Sequence, residues 1–186
     1  MIGTANQNVT FNSNIDSANK EEYSISFKNT YLFECYDSSG NLKWTEEVKN
    51  LVVNVGLDDI LDKYYKGSTY TAAHYVGLLS GTPTIAAADT MASHAGWTEI
   101  VDYSESVRQT LTLGTVSSQS VDNSASKAAY SINGTATIGG AFVTTDSTKS
   151  GTTGTLVGAA TFTAGNRSVL SGDTLNVTVT LTAASS

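Results

Sequence analysis

The sequence predicts a mostly β protein, an antiparallel β-sandwich of jelly-roll type, from composition, periodicity and turn spacing. Charged residues make up 15% and hydrophobic residues 40% of the chain, whereas ordinary soluble domains carry about 25% charged residues. Ser, Thr, Asn and Gly replace the missing charge, and these residues suit strands and turns. From about residue 107, apolar and polar residues alternate, and turns rich in Gly, Ser and Asp separate the runs.

The clearest strand pattern covers 174–182. The residues of its apolar face are Leu175, Val177, Val179 and Leu181, and Thr or Asn residues occupy the positions between them. Tyr130, Ile132, Ala136 and Ile138 alternate with polar residues in the same way, and a third set consists of Leu156, Ala160 and Phe162. One apolar face per strand indicates two antiparallel sheets packed face to face, with the strand order left open.

Residues 23–50 predict a β-hairpin. Tyr31, Phe33 and Cys35 point to one side and the residues between them to the other, and a second alternating run covers 42–48. The turn sequence 37–41, Asp-Ser-Ser-Gly-Asn, lies between the two runs. Cys35 is the single cysteine, and its place in a strand predicts a small, buried, inert thiol.

The one amphipathic helix is predicted over 54–66. Its apolar residues follow the i, i+3, i+4, i+7 spacing of a buried stripe and are Leu57, Ile60, Leu61 and Tyr64. Asn54 is the expected N-terminal cap and Gly67 the expected stop. We therefore expect Tyr64 to pack in the core.

Residues 1–22 are predicted to form an extended N-terminal arm. Residues 23–186 are predicted to form a single β-sandwich domain with the helix inserted. The arm is rich in Asn, Ser, Thr and Asp, with isolated Val9, Phe11 and Ile15 and no sustained period. Such a segment orders against a neighbouring subunit more readily than alone. These three residues, with Tyr65 and Tyr70 near the helix, are the candidate interface residues, because Tyr is enriched at subunit interfaces.

Charge and hydropathy argue against nucleic-acid and membrane partners. The net charge is −7 with a pI near 4.6, and the basic residues are scattered, so the chain repels phosphate backbones. No run approaches the roughly 18 apolar residues that cross a bilayer. The N-terminus also lacks the pattern of a secretory signal, which predicts a protein made in the cytoplasm.

Histidine and cysteine are too scarce and too separated to predict a metal centre. His74, His94 and Cys35 do not have the close spacing of zinc ligands. Asp89, Ser93 and His94 include the residue types of a hydrolytic triad, but no G-x-S-x-G elbow is present. Adjacent Ser and His side chains on an extended segment also point to opposite faces. We expect Asp89 to order its own loop instead.

The carboxylates also predict no catalytic pair. Glu46 and Glu47 are adjacent on a strand and point apart. Asp58, Asp59 and Asp62 lie off the apolar stripe of the helix, where a solvated face explains them. The sequence therefore predicts no catalytic, cofactor or metal site, and a protein that is not an enzyme.

Four segments resemble a family of tailed-bacteriophage virion structural proteins, from about residue 30 to the C-terminus. They are NLVVNVGLDDILDKYYKG (50–67), YVGLLSGTPTIAAADTMASHAGWTEIVDYS (75–104), IGGAFVTT (138–145) and GDTLNVTVTLT (172–182). The most specific piece is DTMASHAGWTE (89–99), followed closely by Tyr103 and Arg108. The strand segments alone would be unspecific.

The resemblance implies a particle component without catalytic residues, most similar to a capsid decoration (cement) protein. Such a protein binds the outer capsid shell, bridges major capsid protein subunits and is commonly a homotrimer. Two alternatives stay open from the sequence. One is a tail, collar or fibre component with receptor or glycan recognition, and the other is a small carbohydrate-active enzyme or lectin-like domain, since a sandwich hosts many functions.

Overall fold

A computed structural model describes residues 25–70 and 73–185. The predicted arm at 1–22, with Val9, Phe11 and Ile15, lies outside the described residues. The strands in chain order are β1 (Ile25–Tyr36), β2 (Leu42–Lys49), β3 (Leu51–Val52), β4 (Tyr75–Leu79), β5 (Glu99–Ile100), β6 (Gln109–Thr110), β7 (Ser120–Asp122), β8 (Ala128–Ser131), β9 (Ala136–Ile138), β10 (Gly140–Thr144), β11 (Leu156–Thr161), β12 (Arg167–Val169) and β13 (Thr174–Ser185).

The strands form two antiparallel sheets, so the predicted antiparallel sandwich is confirmed. Sheet A has the order β2-β1-β13-β7, with β8 also paired to β13, and sheet B has the order β3-β11-β10-β4-β5, with β6 also paired to β4. Strands β9 and β12 pair separately. Strands β1 and β13 are neighbours along their whole length, from the pair Ile25 and Ser185 to the pair Tyr36 and Thr174.

The predicted hairpin at 23–50 is confirmed by β1, β2 and the turn that joins them. The Asp37 carboxylate accepts hydrogen bonds from the backbone N–H groups of Ser39 and Asn41, each at 2.9 Å. Gly40 has a φ of +82°, a conformation that glycine adopts without a steric penalty. The side chain of Asp37 therefore replaces backbone partners that the tight turn leaves unpaired.

The main core lies between the two sheets. Tyr31, Phe33 and Cys35 are buried in it, as the alternation predicted. The Phe33 ring meets the edge of the Phe162 ring at a centroid distance of 4.7 Å. The Tyr130 hydroxyl donates a hydrogen bond to the Val76 carbonyl at 2.8 Å, which ties sheet A to sheet B.

A third layer covers the outer face of sheet B. We call this the outer layer, and it consists of the helical segment 53–65 and the loop 81–98. A second buried cluster joins it to the sheet through Leu79, Phe142, Leu156, Met91 and Trp97. Because sheet B has cover on both faces, the last four residues of β4 are all buried, the pattern expected of a two-sided interior strand.

The helical segment begins with α1 (Asn54–Ile60) and continues as a π-helical turn (Leu61–Tyr65). It ends as predicted at Gly67, whose φ is +78°. The predicted cap at Asn54 is wrong, because Val53 occupies the cap position without a side-chain bond. The backbone N–H of Asn54 instead donates to the Ala87 carbonyl at 2.8 Å. No helix in the described part of the chain has the length and hydropathy needed to span a bilayer.

The strands predicted after Trp97 and around 107–113 are shorter than the sequence pattern indicated. The first begins only at Glu99, and the second is limited to Gln109–Thr110. Leu111 is buried, whereas Leu113 is exposed beyond the end of the strand. The alternation there reflects an irregular segment that leaves the sheet after β6.

A buried arginine lies beside the outer layer and connects three segments. Arg108 is fully buried and makes two bonds to the Glu99 carboxylate, at 2.9 and 2.8 Å. It also donates to the carbonyls of Asp146 and Gly151, at 2.8 and 2.9 Å. Its guanidinium lies 5.2 Å from the centroid of the Phe142 ring. Each bond is charge-assisted, so Arg108 fixes the loop 145–151 against β5.

Candidate functional site: an apolar face on the helical segment

Gly56 determines which face of the helix meets sheet B. A Cβ atom at this position would lie 2.3 Å from the Val157 carbonyl oxygen. The helix backbone therefore approaches β11 at Gly56, and only glycine allows so short a distance. Val53 and Ile60, one turn to either side, are buried and half-buried respectively.

The predicted buried stripe is wrong, because close approach at Gly56 turns most of it to solvent. Leu57 is 36% exposed, Leu61 56% and Tyr64 81%, and only Ile60 keeps a half-buried position. The expectation that Tyr64 packs in the core is likewise wrong. Periodicity identified an apolar stripe correctly but could not tell that a glycine faces the sheet.

Three exposed residues are spaced three or four positions from Leu61, itself exposed, and so share one face of the helical segment with it. We call this face the helical patch: Leu57, Leu61, Tyr64 and Tyr65. Tyr65 is 66% exposed, and its ring meets that of Tyr64 edge to face at 5.1 Å. The patch spans the change from α-helix to π-helix, where the Lys66 N–H donates to the Leu61 carbonyl at 3.1 Å. Such π-helical turns are frequent at functional sites.

A polar border accompanies the helical patch. Lys66 Nζ lies 3.1 Å from Asp62 Oδ1, and these residues line a shallow depression together with Asp58, Leu61 and Tyr65. Hydrogen bonds from Lys66 and Ser68 lower the pKa of Asp62, so its carboxylate is charged at neutral pH. Apolar and aromatic residues beside a charged rim match the anatomy of protein interfaces.

Tyr70, the other predicted interface residue in the described part of the chain, lies away from the helical patch. It is 68% exposed and lines a separate apolar groove, whose lining also includes Ile60 and His74. The structure thus places Tyr65 and Tyr70 on different surfaces. Their role in binding a partner stays a prediction, as does that of Val9, Phe11 and Ile15.

The residues considered for a hydrolytic triad shape the loop 81–98 instead. Asp89 Oδ2 accepts a hydrogen bond from the Ala86 N–H at 2.9 Å, as expected of a loop-ordering carboxylate. The His94 ring stacks on Trp97 with a centroid distance of 3.6 Å and an interplanar angle of 14°. Burial lowers the pKa of His94, although the Asp89 charge opposes this shift. Both side chains are therefore engaged in holding the outer layer together.

Several of the other charged groups in the described residues are engaged in ion pairs. Glu46 accepts from Arg167 at 2.7 Å. Cys35 is buried, and burial with the nearby Asp173 charge raises its pKa to about 11, so the thiol is protonated and unreactive at neutral pH. Within 25–70 and 73–185, no three His, Cys, Asp or Glu side chains come together as a metal site would need.

Comparisons with protein-family models, with curated proteins and with solved structures return no match for this chain.

The sequence-based interpretation missed Leu57, Leu61 and Tyr64 as surface residues. One signal was present, because Gly56 interrupts an otherwise good helical pattern. An isolated glycine inside a helix costs about 1 kcal/mol relative to Ala and so indicates a packing reason. With Gly56 on the buried side, Leu61, five positions further along the helix, faces away from the sheet.

Proposed function

We propose that this chain is a non-catalytic structural protein that binds other protein subunits through the helical patch. We further propose that it is a tailed-phage capsid decoration protein that holds major capsid protein subunits together at the outer shell, as a homotrimer. The observation that carries the proposal is the exposure of four neighbouring large apolar side chains on one ordered helix.

The large apolar side chains of the helical patch are exposed to water. Contiguous exposed apolar patches with a polar rim are a mark of interaction sites on soluble proteins. Tyr64 and Tyr65 offer large, rigid contact areas with a hydroxyl for a hydrogen bond, a combination enriched at interfaces. A close-packed anchor beneath them, at Gly56 and Val53, keeps the patch in one geometry.

The phage assignment rests on the sequence resemblance, and the patch gives it a mechanism. Burial of apolar surface contributes roughly 25 cal/mol per Å². Each contact is modest, but every copy on a particle and every arm of a trimer repeats it. Multivalency therefore makes the overall binding stronger than one contact would. Such contacts oppose the separation of neighbouring shell subunits.

The test is binding to particles of the corresponding phage that lack this protein, imaged by cryo-electron microscopy. We expect regular density at symmetry-related positions on the outer shell, with the helical segment against the shell. The Leu61→Asp substitution places a charge in the patch centre and should reduce occupancy at least tenfold at equal concentration.

Leu42→Asp is the matched control, because Leu42 is similarly exposed but lies on β2, outside the patch. It should bind as the unmodified protein does. Density confined to the tail vertex would replace the decoration role with a tail or collar role. Equal binding by the Leu61→Asp and unmodified proteins would show that the patch is not the contact.

A further inference from the structure

We propose that the apolar groove between the two sheets is the docking site for this chain's own N-terminal segment, with Phe11 and Ile15 inserted before any partner binds. This inference concerns a surface other than the helical patch and does not depend on the proposed function.

The groove is formed where the sandwich opens between the two sheets. Its volume is about 460 Å³, within the range of roughly 300–1,000 Å³ of ligand-binding pockets. Phe27 and Leu181 contribute from sheet A, and Val143 and Val157 contribute from sheet B. The groove thus reaches from exposed side chains down to the main core.

The rim of the groove is also apolar. Leu113 and Val116 come from the segment after β6, and both are exposed, as are Phe27 and Tyr70. The few polar groups include Asn29 and His74. Burial lowers the pKa of His74, which keeps its imidazole neutral at pH 7. The groove therefore suits an uncharged apolar occupant.

The position of β1 brings the N-terminal segment to this groove. The described chain begins at Ile25, which pairs with Ser185, and two residues later Phe27 pairs with Ala183. Phe27 and Ala183 both line the groove. Any residue just before Ile25 therefore starts within a short distance of the rim.

The length of the preceding chain suits insertion. Phe11 precedes Ile25 by 14 positions, and an extended chain of that length reaches about 46 Å. This reach is long enough to bring Phe11 back to the groove beside Phe27. Being attached to the same chain, the segment also has an effective concentration on the order of millimolar, which favours it over a free partner.

The sequence of this segment fits the chemistry of the groove. Val9, Phe11 and Ile15 are separated from one another by polar residues. Val9 and Phe11 share the period of two that puts side chains on one face of an extended chain. The isolated apolar side chains of the segment therefore complement the apolar lining of the groove in the same molecule.

The experiment uses the full chain with a nitroxide spin label at Asn12→Cys and methyl-labelled Leu and Val for NMR. Cys35 is buried and does not compete for the label. We expect at least a twofold loss of intensity for the methyl groups of Leu113, Val116 and Leu181. Leu42 and Leu170 are the reference methyls, since both are exposed and neither lines the groove; their intensities should not change.

Two mixtures distinguish docking within one chain from docking between copies. In the first, molecules carrying both labels are diluted with unlabelled protein, and broadening must persist. In the second, spin-labelled and methyl-labelled molecules are different chains, and no broadening is expected. Broadening only in the second mixture assigns the segment to a second copy and overturns the proposal, as does the absence of broadening in both.

A pair of substitutions tests the inserted side chains. Phe11→Asp with Ile15→Asp should restore the groove signals to full intensity, because charged side chains do not enter an apolar groove. Thr10→Asp is the control with one added charge at a polar position, and it should leave the broadening in place. Persistence of broadening in the double variant would overturn the proposal.

Discussion

The outer layer has two sides that differ in how closely their side chains are packed. Its inward side is dense, with Gly56 against the Val157 backbone and Trp97 packed on Phe142 at a ring distance of 5.0 Å. Its outward side carries Leu61 and Tyr64, which contact little of the described chain. The helical segment contributes to both sides, through Gly56 inward and through Leu61 and Tyr64 outward. The close packing against sheet B is on the inward side, whereas the apolar side chains of the outward side remain exposed.

The largest expected effect comes from breaking the ion pair beside the inward side. Arg108→Met would leave the buried Glu99 carboxylate without its partner, and removing one member of a buried pair costs about 3–5 kcal/mol. We expect a loss of that size in the free energy of unfolding, measured with urea. Lys127→Met, which breaks the more exposed pair with Glu34, should cost at most about 1 kcal/mol. A loss of about 1 kcal/mol or less from Arg108→Met, as small as that from Lys127→Met, would contradict a structural role for the Arg108 network.

Gly56→Ala is the next substitution in order of effect. Alanine normally stabilises a helix interior by about 1 kcal/mol relative to glycine. Here the new Cβ meets the Val157 carbonyl, and overpacking costs about 1–3 kcal/mol. We therefore expect net destabilisation in urea unfolding. A more stable Gly56→Ala protein would contradict the close approach of helix and strand.

A useful control for Gly56→Ala is Gly40→Ala. No heavy atom lies within 4 Å of a Cβ at Gly40, but its φ is +82°. The cost there is the left-handed conformation alone, about 1–2 kcal/mol. Each variant is then combined with Leu57→Ala, and the change in the free energy of unfolding is compared with the sum of the single changes. Only Gly56→Ala lies close enough to Leu57 to give a non-additive change.

A smaller effect is expected from pH, through the histidine of the outer layer. Burial lowers the pKa of His94 in the folded protein, whereas in the unfolded chain it is about 6.5. As the pH falls below about 6.5, the unfolded state binds the proton first, so stability decreases until the pH passes the folded pKa. His94→Phe keeps an aromatic ring beside Trp97 and should reduce this decrease. Urea unfolding at pH 7.5, 6.5 and 5.5 measures it, and an unchanged slope would exclude His94 as its source.

The strands show what the sequence could predict and why. In β1 and β13, one face meets the core, so alternation at Tyr31, Phe33, Val177 and Val179 predicted their burial correctly. The turn at 37–41 was equally predictable, because Asp37 and Gly40 act on their immediate neighbours. These features depend on local chemistry or on a period that a single sheet face imposes.

The orientation of the helix and the presence of the groove could not be predicted in the same way. The stripe at Leu57, Leu61 and Tyr64 is a real pattern, but its burial depends on the distance between α1 and β11. That distance is set by Gly56 and by the bulge in β11 at Val157, where the pairing with β10 shifts. The groove likewise combines residues as distant in sequence as Phe27 and Leu181. Only the packing of the sheets brings them together.

The smallest expected effect on stability is on the outward side of the helix. Leu61→Ser with Tyr64→Ser should change the free energy of unfolding by less than about 0.5 kcal/mol each, as for other exposed positions. Val53→Ala, on the inward side of the same segment, should cost about 2 kcal/mol, because Val53 is fully buried. Urea unfolding of both variants under the same conditions compares the contributions of the outward and inward sides to the free energy of unfolding. A large loss from the outward pair would mean that the helical patch already serves the fold, and the reason to assign it a binding partner would disappear.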